Sequence, residues 1–154
     1  MRQVLEVCVL LALLAVVAHP ADKPQSVEEL RSSAEAADGE HCTRVCVEAA
    51  KAITEEANQF FTDGKVQQGH ADIKDAVRFA QKAAVASVQS RKKQKQTEIA
   101  LRKLERRILD IMETLNFEDK PQLQQAADAI DKSRASILTA MFDLDKELKD
   151  KDRK

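Results

Sequence analysis

The chain has 154 residues, of which 25 are basic and 26 acidic, and it contains five phenylalanines but no tyrosine or tryptophan. A net charge of −1 gives no reason to expect a nucleic acid or an anionic membrane as partner. The shortage of aromatic rings argues against a surface that stacks bases or sugars. Strong helix formers dominate and β-strand patterns are missing, so the composition predicts an all-α protein.

The first 18 residues have the pattern of a secretory signal peptide. Arg2 precedes an apolar run from Val7 to Ala18, which is shorter than the roughly 20 apolar residues that span a bilayer. Val16 and Ala18 suit the −3 and −1 positions of a cleavage site. We therefore expect an exported protein, periplasmic or extracellular, whose mature chain begins at His19 and has no integral membrane segment.

Residues 19–40 are predicted to be a tether that contains one short helix. Pro20 and Pro24 favour an extended start. Ser26, followed three residues later by Glu29, has the capping-box pattern that begins a helix. We expect this helix to break near Gly39. A helical-bundle domain is then expected over residues 41–149, with a charged tail over residues 150–154.

Residues 41–62 and 65–89 are predicted to form the first two long helices. In the first, Cys46, Ile53 and Phe60 recur every seven residues on one apolar stripe. Gly64 is placed to adopt the left-handed conformation that closes a helix. The second helix carries many small apolar residues on one face, which indicates close packing against a neighbouring helix.

The next stretch, residues 89–98, has no apolar residue. Either the helix continues through it, exposed, or the chain bends; a bend is favoured because the next apolar stripe must fold back. That stripe has alternating spacings of three and four residues: Leu101, Leu104, Ile108, Ile111 and Leu115. A loop over residues 116–121 and a last helix to about residue 149 complete an antiparallel up-down bundle of about four helices.

Residues 49–76 resemble one tetratricopeptide unit, a helical hairpin whose small, aromatic and turn positions are matched by Ala57, Phe60, Gly64, Gly69 and Ala76. The proline expected near the end of the second helix is Gln81 here, and no second copy of the pattern follows. The resemblance therefore implies a close-packed hairpin and carries over no peptide-binding groove. As a whole, the chain is similar to small exported bacterial helical proteins of unknown function.

His41, Cys42 and Cys46 form the cluster most suggestive of chemistry. Residues four apart share a helix face, so both thiols can reach one soft metal ion, Cu(I) or Zn(II), with His41 beside them. His70 or a second chain would supply a fourth ligand. Two cysteines in an exported protein also favour a Cys42–Cys46 disulfide. Free thiols in the core are the third interpretation, because Cys46 is in register with Ile53.

A basic patch lies within residues 91–107, and its members are Arg91, Lys92, Lys93, Lys95, Arg102, Lys103, Arg106 and Arg107. Such a patch is able to bind polyanions, for example lipid headgroups or surface polysaccharide. A solvated corner between two helices explains it as well, since Glu98 precedes Arg102 by four residues.

No nucleophile with its base and no pair of carboxylates forms a recognisable catalytic pattern, so we expect neither enzymatic activity nor a cofactor. The first hypothesis is a protein that acts through protein–protein interaction, including self-association, or in a structural role. It would use apolar residues left beside the main stripes: Leu109, Met112, Leu138 and Phe142. The second hypothesis is a metal-binding or metal-sensing protein that uses His41, Cys42 and Cys46.

Overall fold

The computed structural model describes residues 25–151, with side chains described up to residue 146. The predicted signal peptide, the first part of the predicted tether and residues 152–154 lie outside this range. The described chain forms five helices: α1 (Val27–Ala36), α2 (Gly39–Thr62), α3 (Val66–Ser90), α4 (Gln94–Glu113) and α5 (Lys120–Lys151). The predicted all-α fold is confirmed. None of these helices, within residues 25–151, is long and apolar enough to cross a membrane.

The ends of α1 and α2 follow from local sequence. The Ser26 hydroxyl accepts a hydrogen bond from the Glu29 amide, and the Glu29 carboxylate accepts one from the Ser26 amide. This is the predicted capping box, which satisfies two amides at the start of α1. Gly64, two residues beyond the end of α2, has a φ of +74°, as predicted, because a residue without Cβ adopts this conformation at little cost.

The chain turns between α3 and α4 within the basic stretch, so the favoured bend is confirmed. Arg91 and Lys93 have φ of 54° and 57°, which is uncommon for residues with a side chain. Side-chain hydroxyls on both helices stabilise the turn. Ser87 donates to the carbonyl of Lys92 at 3.2 Å. Thr97 donates to the carbonyl of Lys93 at 2.9 Å.

Two antiparallel hairpins, α2–α3 and α4–α5, pack side by side, with α2 against α4 and α3 against α5. Near the start of α2 and α4, Glu40 pairs with Lys92. Further along, Glu55 pairs with Arg107. Both pairs join residues 52 apart, so α2 and α4 run in the same direction. The helices thus alternate in direction along the chain, as the up-down prediction requires, and α1 lies against α2.

The two hairpins have different cores. The first is filled largely by alanines that are fully buried: Ala49, Ala50, Ala57, Ala76, Ala80 and Ala83. The second is filled by buried leucines and isoleucines: Leu101, Leu104, Ile108, Ile111, Leu123, Ile130 and Ile137. Small side chains allow close approach, and a Cβ at Gly69 would lie only 2.7 Å from the Phe61 ring. Leu115, the last residue of the predicted stripe, is half-buried.

Phe61, rather than Phe60, is the buried aromatic at the end of α2. A seven-residue repeat falls behind the true helical repeat by about 20° each time. Cys46 and Ile53 are both fully buried. One repeat later, the side of α2 that faces the core therefore carries Phe61 instead of Phe60. Phe60 is half-buried, and the Lys65 ammonium lies 5.7 Å from its ring centre.

Candidate functional site

Two thiols lie where α1, α2 and α3 meet. Cys42 and Cys46 are on the inward face of the start of α2 and are 2% and 0% exposed. Their Sγ atoms are 3.0 Å apart, whereas a disulfide bond is about 2.05 Å long, so the structure describes two free thiols. The pair is close enough to react internally but is shielded from solvent.

The C-terminal end of α1 covers this pair. The Cys46 thiol donates to the carbonyl oxygen of Ala34 at 3.6 Å. On α3, the Lys82 ammonium donates to the carbonyls of Ala34 at 2.7 Å and Glu35 at 2.8 Å. Carbonyls in the last turn of a helix lack partners within the helix, so the ammonium caps α1. One carbonyl therefore contacts both the thiol and the lysine.

A second polar contact holds the middle of α1. The Arg31 guanidinium donates to Asp72 and Asp75 on α3, both at 2.6 Å, and to Glu56 on α2 at 3.0 Å. The Arg31 side chain is only 17% exposed. Burial raises the pKa of the Asp72 carboxyl above its ordinary value, even with Arg31 beside it. Arg31 and Lys82 thus fix α1 to the first hairpin at two points.

The Cys46 thiol is protonated at neutral pH while α1 is in place. Burial raises the pKa of the Cys46 thiol to about 12, and the neighbouring Cys42 adds to this effect. Among nearby charges, Lys82 lowers this pKa and Glu35 raises it. Because the thiolate is the nucleophile and the metal ligand, the covered Cys46 is chemically inert at neutral pH.

His41 does not join the two thiols. It is exposed on α2, whereas Cys42 and Cys46 are buried, because neighbouring residues of a helix point in different directions. In the part of the chain that the structure describes, no three histidine, cysteine or acidic side chains are grouped to hold a metal ion. His70 lies elsewhere on α3 and pairs with Asp119 at 3.3 Å. The three residues of the predicted metal cluster are therefore divided between surface and core.

The basic patch is interleaved with acidic side chains. Several of its members form ion pairs: Lys92 and Lys93 with Glu40, Arg107 with Glu55, and Arg102 with Glu98. Three others are exposed on α4 and form no ion pair with the side chains described between residues 25 and 146, namely Lys95, Lys103 and Arg106. Acidic residues of α2 and α4 thus neutralise part of the predicted patch, and polyanion binding stays a prediction.

A second buried ion-pair cluster joins α4 to α5. Arg134, which is 16% exposed, donates to Glu98 at 3.0 Å and also pairs with Glu105 and Asp131. Glu98 is almost fully buried and also accepts from Arg102. Burial by itself raises the pKa of Glu98, but the hydrogen bonds and charges of the two arginines outweigh it and hold that pKa below its ordinary value.

Sequence reasoning missed Arg31 and Lys82, because their partners lie between 25 and 48 residues away. One local signal was available for Arg31. Val27, Leu30, Arg31 and Ala34 follow the spacing of one helix face, so the arginine occupies an apolar-face position of α1. A charged residue at such a position indicates a buried partner, although it does not identify that partner.

The C-terminal part of α5 extends past its neighbours. α5 has 32 residues and its antiparallel partner α4 has 20. Arg134 lies opposite Glu98 and Glu105, so the start of α4 lies opposite residues near 141. The remaining ten or so residues correspond to about 15 Å of helix. Phe142 lies at the beginning of this extension and is 64% exposed.

The predicted leftover apolar residues therefore separate into two groups. Leu109 and Met112 are partly buried and pack against the core. Leu138 is half-buried, and Phe142 is exposed near it on α5. Phe117, in the loop before α5, is a further exposed phenylalanine at 86%. The exposed large apolar residues of the described chain are thus Phe142 near the C-terminal end of α5, Phe117 in the loop, Val85 on α3 and Ile99 on α4.

The hairpin that resembles a tetratricopeptide unit corresponds to α2 and α3, with Gly64 at its turn and Gly69 at its closest approach. The aromatic residue that contacts Gly69 is Phe61 and not Phe60. No protein-family model, curated protein or solved structure matches the chain.

Proposed function

We propose that the protein is an exported, non-enzymatic helical bundle that acts by protein–protein contact, and that its first partner is a second copy of itself. The contact surface is the C-terminal end of α5. The observation that carries this proposal is Phe142, which is 64% exposed where α5 extends past α4. A large exposed aromatic ring on an unpartnered helix end favours an interface.

The apolar stripe of the core continues along α5, and Phe142 lies beside this stripe, about 100° around the helix from Met141. Ile137 is fully buried, whereas Met141 and Leu144 are only partly buried. In the sequence, Leu148 continues the same alternation of four and three residues. In the sequence, the stripe that packs against the chain's own helices therefore continues from Leu144 to Leu148.

The order of charges supports an antiparallel second copy. Residues 143–147 contain three acidic side chains and one lysine, and residues 149–154 contain four basic and two acidic side chains. In antiparallel pairing, the net negative segment of one copy lies beside the net positive segment of the other. A two-fold axis between the copies brings the same surface of each into contact, which closes the assembly at a dimer.

Analytical ultracentrifugation of the purified protein tests this proposal. We expect a dimer at micromolar concentrations, and a monomer when Phe142→Ser and Leu144→Ser are combined, with unchanged helical content by circular dichroism. Phe117→Ser is the matched control, because Phe117 is more exposed but lies away from the extension, and it should remain dimeric. A monomeric parent protein, or a double variant that still dimerises, would contradict the proposal.

Export is the second part of the proposal, and the signal-peptide pattern of residues 1–18 supports it. Intact-mass spectrometry of the protein recovered outside the cytoplasm of its host should give a chain that begins at His19. A mass that includes Met1 would contradict export with cleavage while leaving the interface at α5 untouched.

A further inference from the structure

We propose that Cys42 and Cys46 form a thiol–disulfide exchange site that α1 gates, and that its co-reactant is a small-molecule disulfide. The site is closed while α1 is docked and opens when α1 leaves, with the four-helix bundle still folded. The inference rests on the geometry at the junction of α1, α2 and α3, and it does not depend on dimerisation through α5.

α1 is held by a small apolar face and by polar contacts. It has ten residues, of which Ala34 is fully buried, while Val27 and Leu30 are partly buried against the core. An isolated helix of this length is marginal in water. Its docking therefore also needs the contacts of Arg31 with three carboxylates and of Lys82 with two carbonyls. A short segment at the edge of a fold, with a small apolar face, opens locally before the whole fold unfolds.

When α1 leaves, the changes around the thiols all favour the thiolate form. When α1 leaves, the Ala34 carbonyl no longer accepts from Cys46, and water reaches the sulfur atoms. Glu35, whose charge disfavours the thiolate, leaves with α1. Lys82, whose charge favours the thiolate, stays on α3 and loses its two carbonyl acceptors. Solvation and charge thus both favour the reactive thiolate once the cover is removed.

The exchange chemistry proceeds in two steps. One cysteine thiolate attacks a sulfur of the small-molecule disulfide, forms a mixed disulfide and expels one small thiolate. The second cysteine thiolate then attacks the protein sulfur of the mixed disulfide, forms the Cys42–Cys46 bond and expels the other small thiolate. The protein loses two electrons and two protons, and the small-molecule disulfide is reduced to two thiols.

The geometry at the start of α2 explains why α1 must leave before the disulfide forms. Residues four apart on a helix have Cβ atoms about 5–6 Å apart, whereas a disulfide brings them to about 3.5–4.5 Å. Closing the bond therefore distorts the first turn of α2, which begins at Gly39 and has no side-chain cap. This turn follows the short link to α1, so it has room to distort only when α1 is displaced.

The test measures thiol reactivity of the folded protein with iodoacetamide, and disulfide formation with oxidised glutathione, both by intact-mass spectrometry. Lys82→Met and Arg31→Met each remove one attachment of α1. Loss of a charge-assisted hydrogen bond should raise the rate of alkylation by roughly tenfold or more. Arg134→Met is the matched control, because it breaks a similar arginine cluster between α4 and α5, and it should leave this rate unchanged.

The products distinguish exchange from simple exposure. With oxidised glutathione, we expect the Arg31→Met variant, which keeps the Lys82 charge beside the thiols, to lose two hydrogen atoms in mass and retain no glutathione. A Cys42→Ser change in the same background should instead accumulate a single glutathione adduct on Cys46. The proposal is overturned if Arg31→Met and the parent react at the same rate, if Arg134→Met accelerates alkylation equally, or if no intramolecular disulfide forms.

Discussion

Arg31 and Arg134 are each buried against three carboxylates, one between α1 and the first hairpin and the other between α4 and α5. Their side chains are 17% and 16% exposed. The helices that Arg134 joins also share a row of buried leucines and isoleucines. The helix that Arg31 holds has ten residues, of which Ala34 is fully buried and Val27 and Leu30 are partly buried.

The difference between these two regions shows that the same polar contact has different effects in different apolar surroundings. Between α4 and α5, apolar burial already holds the helices together, so the arginine adds to a contact that would persist without it. At α1, apolar burial is limited to Ala34 and the partly buried Val27 and Leu30, so the arginine and Lys82 contribute a larger share of the docking. We therefore expect α1 to be the least stable element of the described fold.

The largest effect is expected from the apolar row itself. Ile108→Ala removes a fully buried side chain from the core of the second hairpin, which should lower the free energy of unfolding by about 2–5 kcal/mol. Ile99→Ala is the control on the same helix, since Ile99 is 39% exposed, and its effect should be under about 1 kcal/mol. Urea unfolding followed by circular dichroism measures both. If the two variants lost equal free energy of unfolding, burial of apolar side chains would not be what holds α4 and α5 together.

A smaller global effect is expected from the arginines. Arg134→Met leaves the buried Glu98 with one arginine instead of two, and this should cost about 1–3 kcal/mol of unfolding free energy. Arg31→Met should cost less in the same urea experiment, because α1 separates before the bundle unfolds. If Arg31→Met destabilises the bundle more than Arg134→Met does, α1 unfolds together with the bundle and the comparison fails.

The smallest expected effects are changes of stability with pH. They have opposite signs in the Arg134 cluster and the Arg31 cluster. The pKa of Glu98 is lowered in the folded protein. The stability that Glu98 contributes is therefore present above the ordinary glutamate pKa, and it is lost as the pH falls through the pKa that Glu98 has in the folded protein. The pKa of Asp72 is raised, so folding gains stability as the pH falls through the raised value towards the ordinary one.

Two variants, Glu98→Gln and Asp72→Asn, test whether the stability changes with pH in opposite directions at these two residues. The stability advantage of the parent over Glu98→Gln should shrink on acidification from neutral pH to below pH 4.5, the ordinary glutamate pKa. Over the same titration, the parent should gain stability relative to Asp72→Asn. Unfolding in urea at several pH values measures both differences. Parallel curves for the two variants would show that the clusters do not differ in this way.

Local features of the fold could be predicted because their partners are near in sequence. The two residues of the Ser26–Glu29 capping box are three positions apart, and the stripe from Leu101 to Ile111 follows one helical repeat. The attachment of α1 could not be predicted, because Arg31 and Asp75 are 44 residues apart and the approach of α1 depends on the α2–α3 packing.

The candidate site shows the same limit. The four-residue spacing predicted that Cys42 and Cys46 share a face of α2, and their sulfur atoms do lie close together. Nothing in the spacing shows that Ala34 would cover them or that His41 would lie on the exposed side. Whether a helix face is buried or exposed depends on the elements that pack against it, and those come from distant parts of the chain.

Hydrogen exchange of the native protein, followed by mass spectrometry, tests the central claim most directly, namely that α1 opens while the bundle stays folded. Amides of residues 28–36 should exchange much faster than those of the buried parts of α2 and α3, with protection that does not follow the global free energy of unfolding. If the amides of α1 are as protected as those of α2, then α1 unfolds only with the whole bundle, and the thiol pair has no gate.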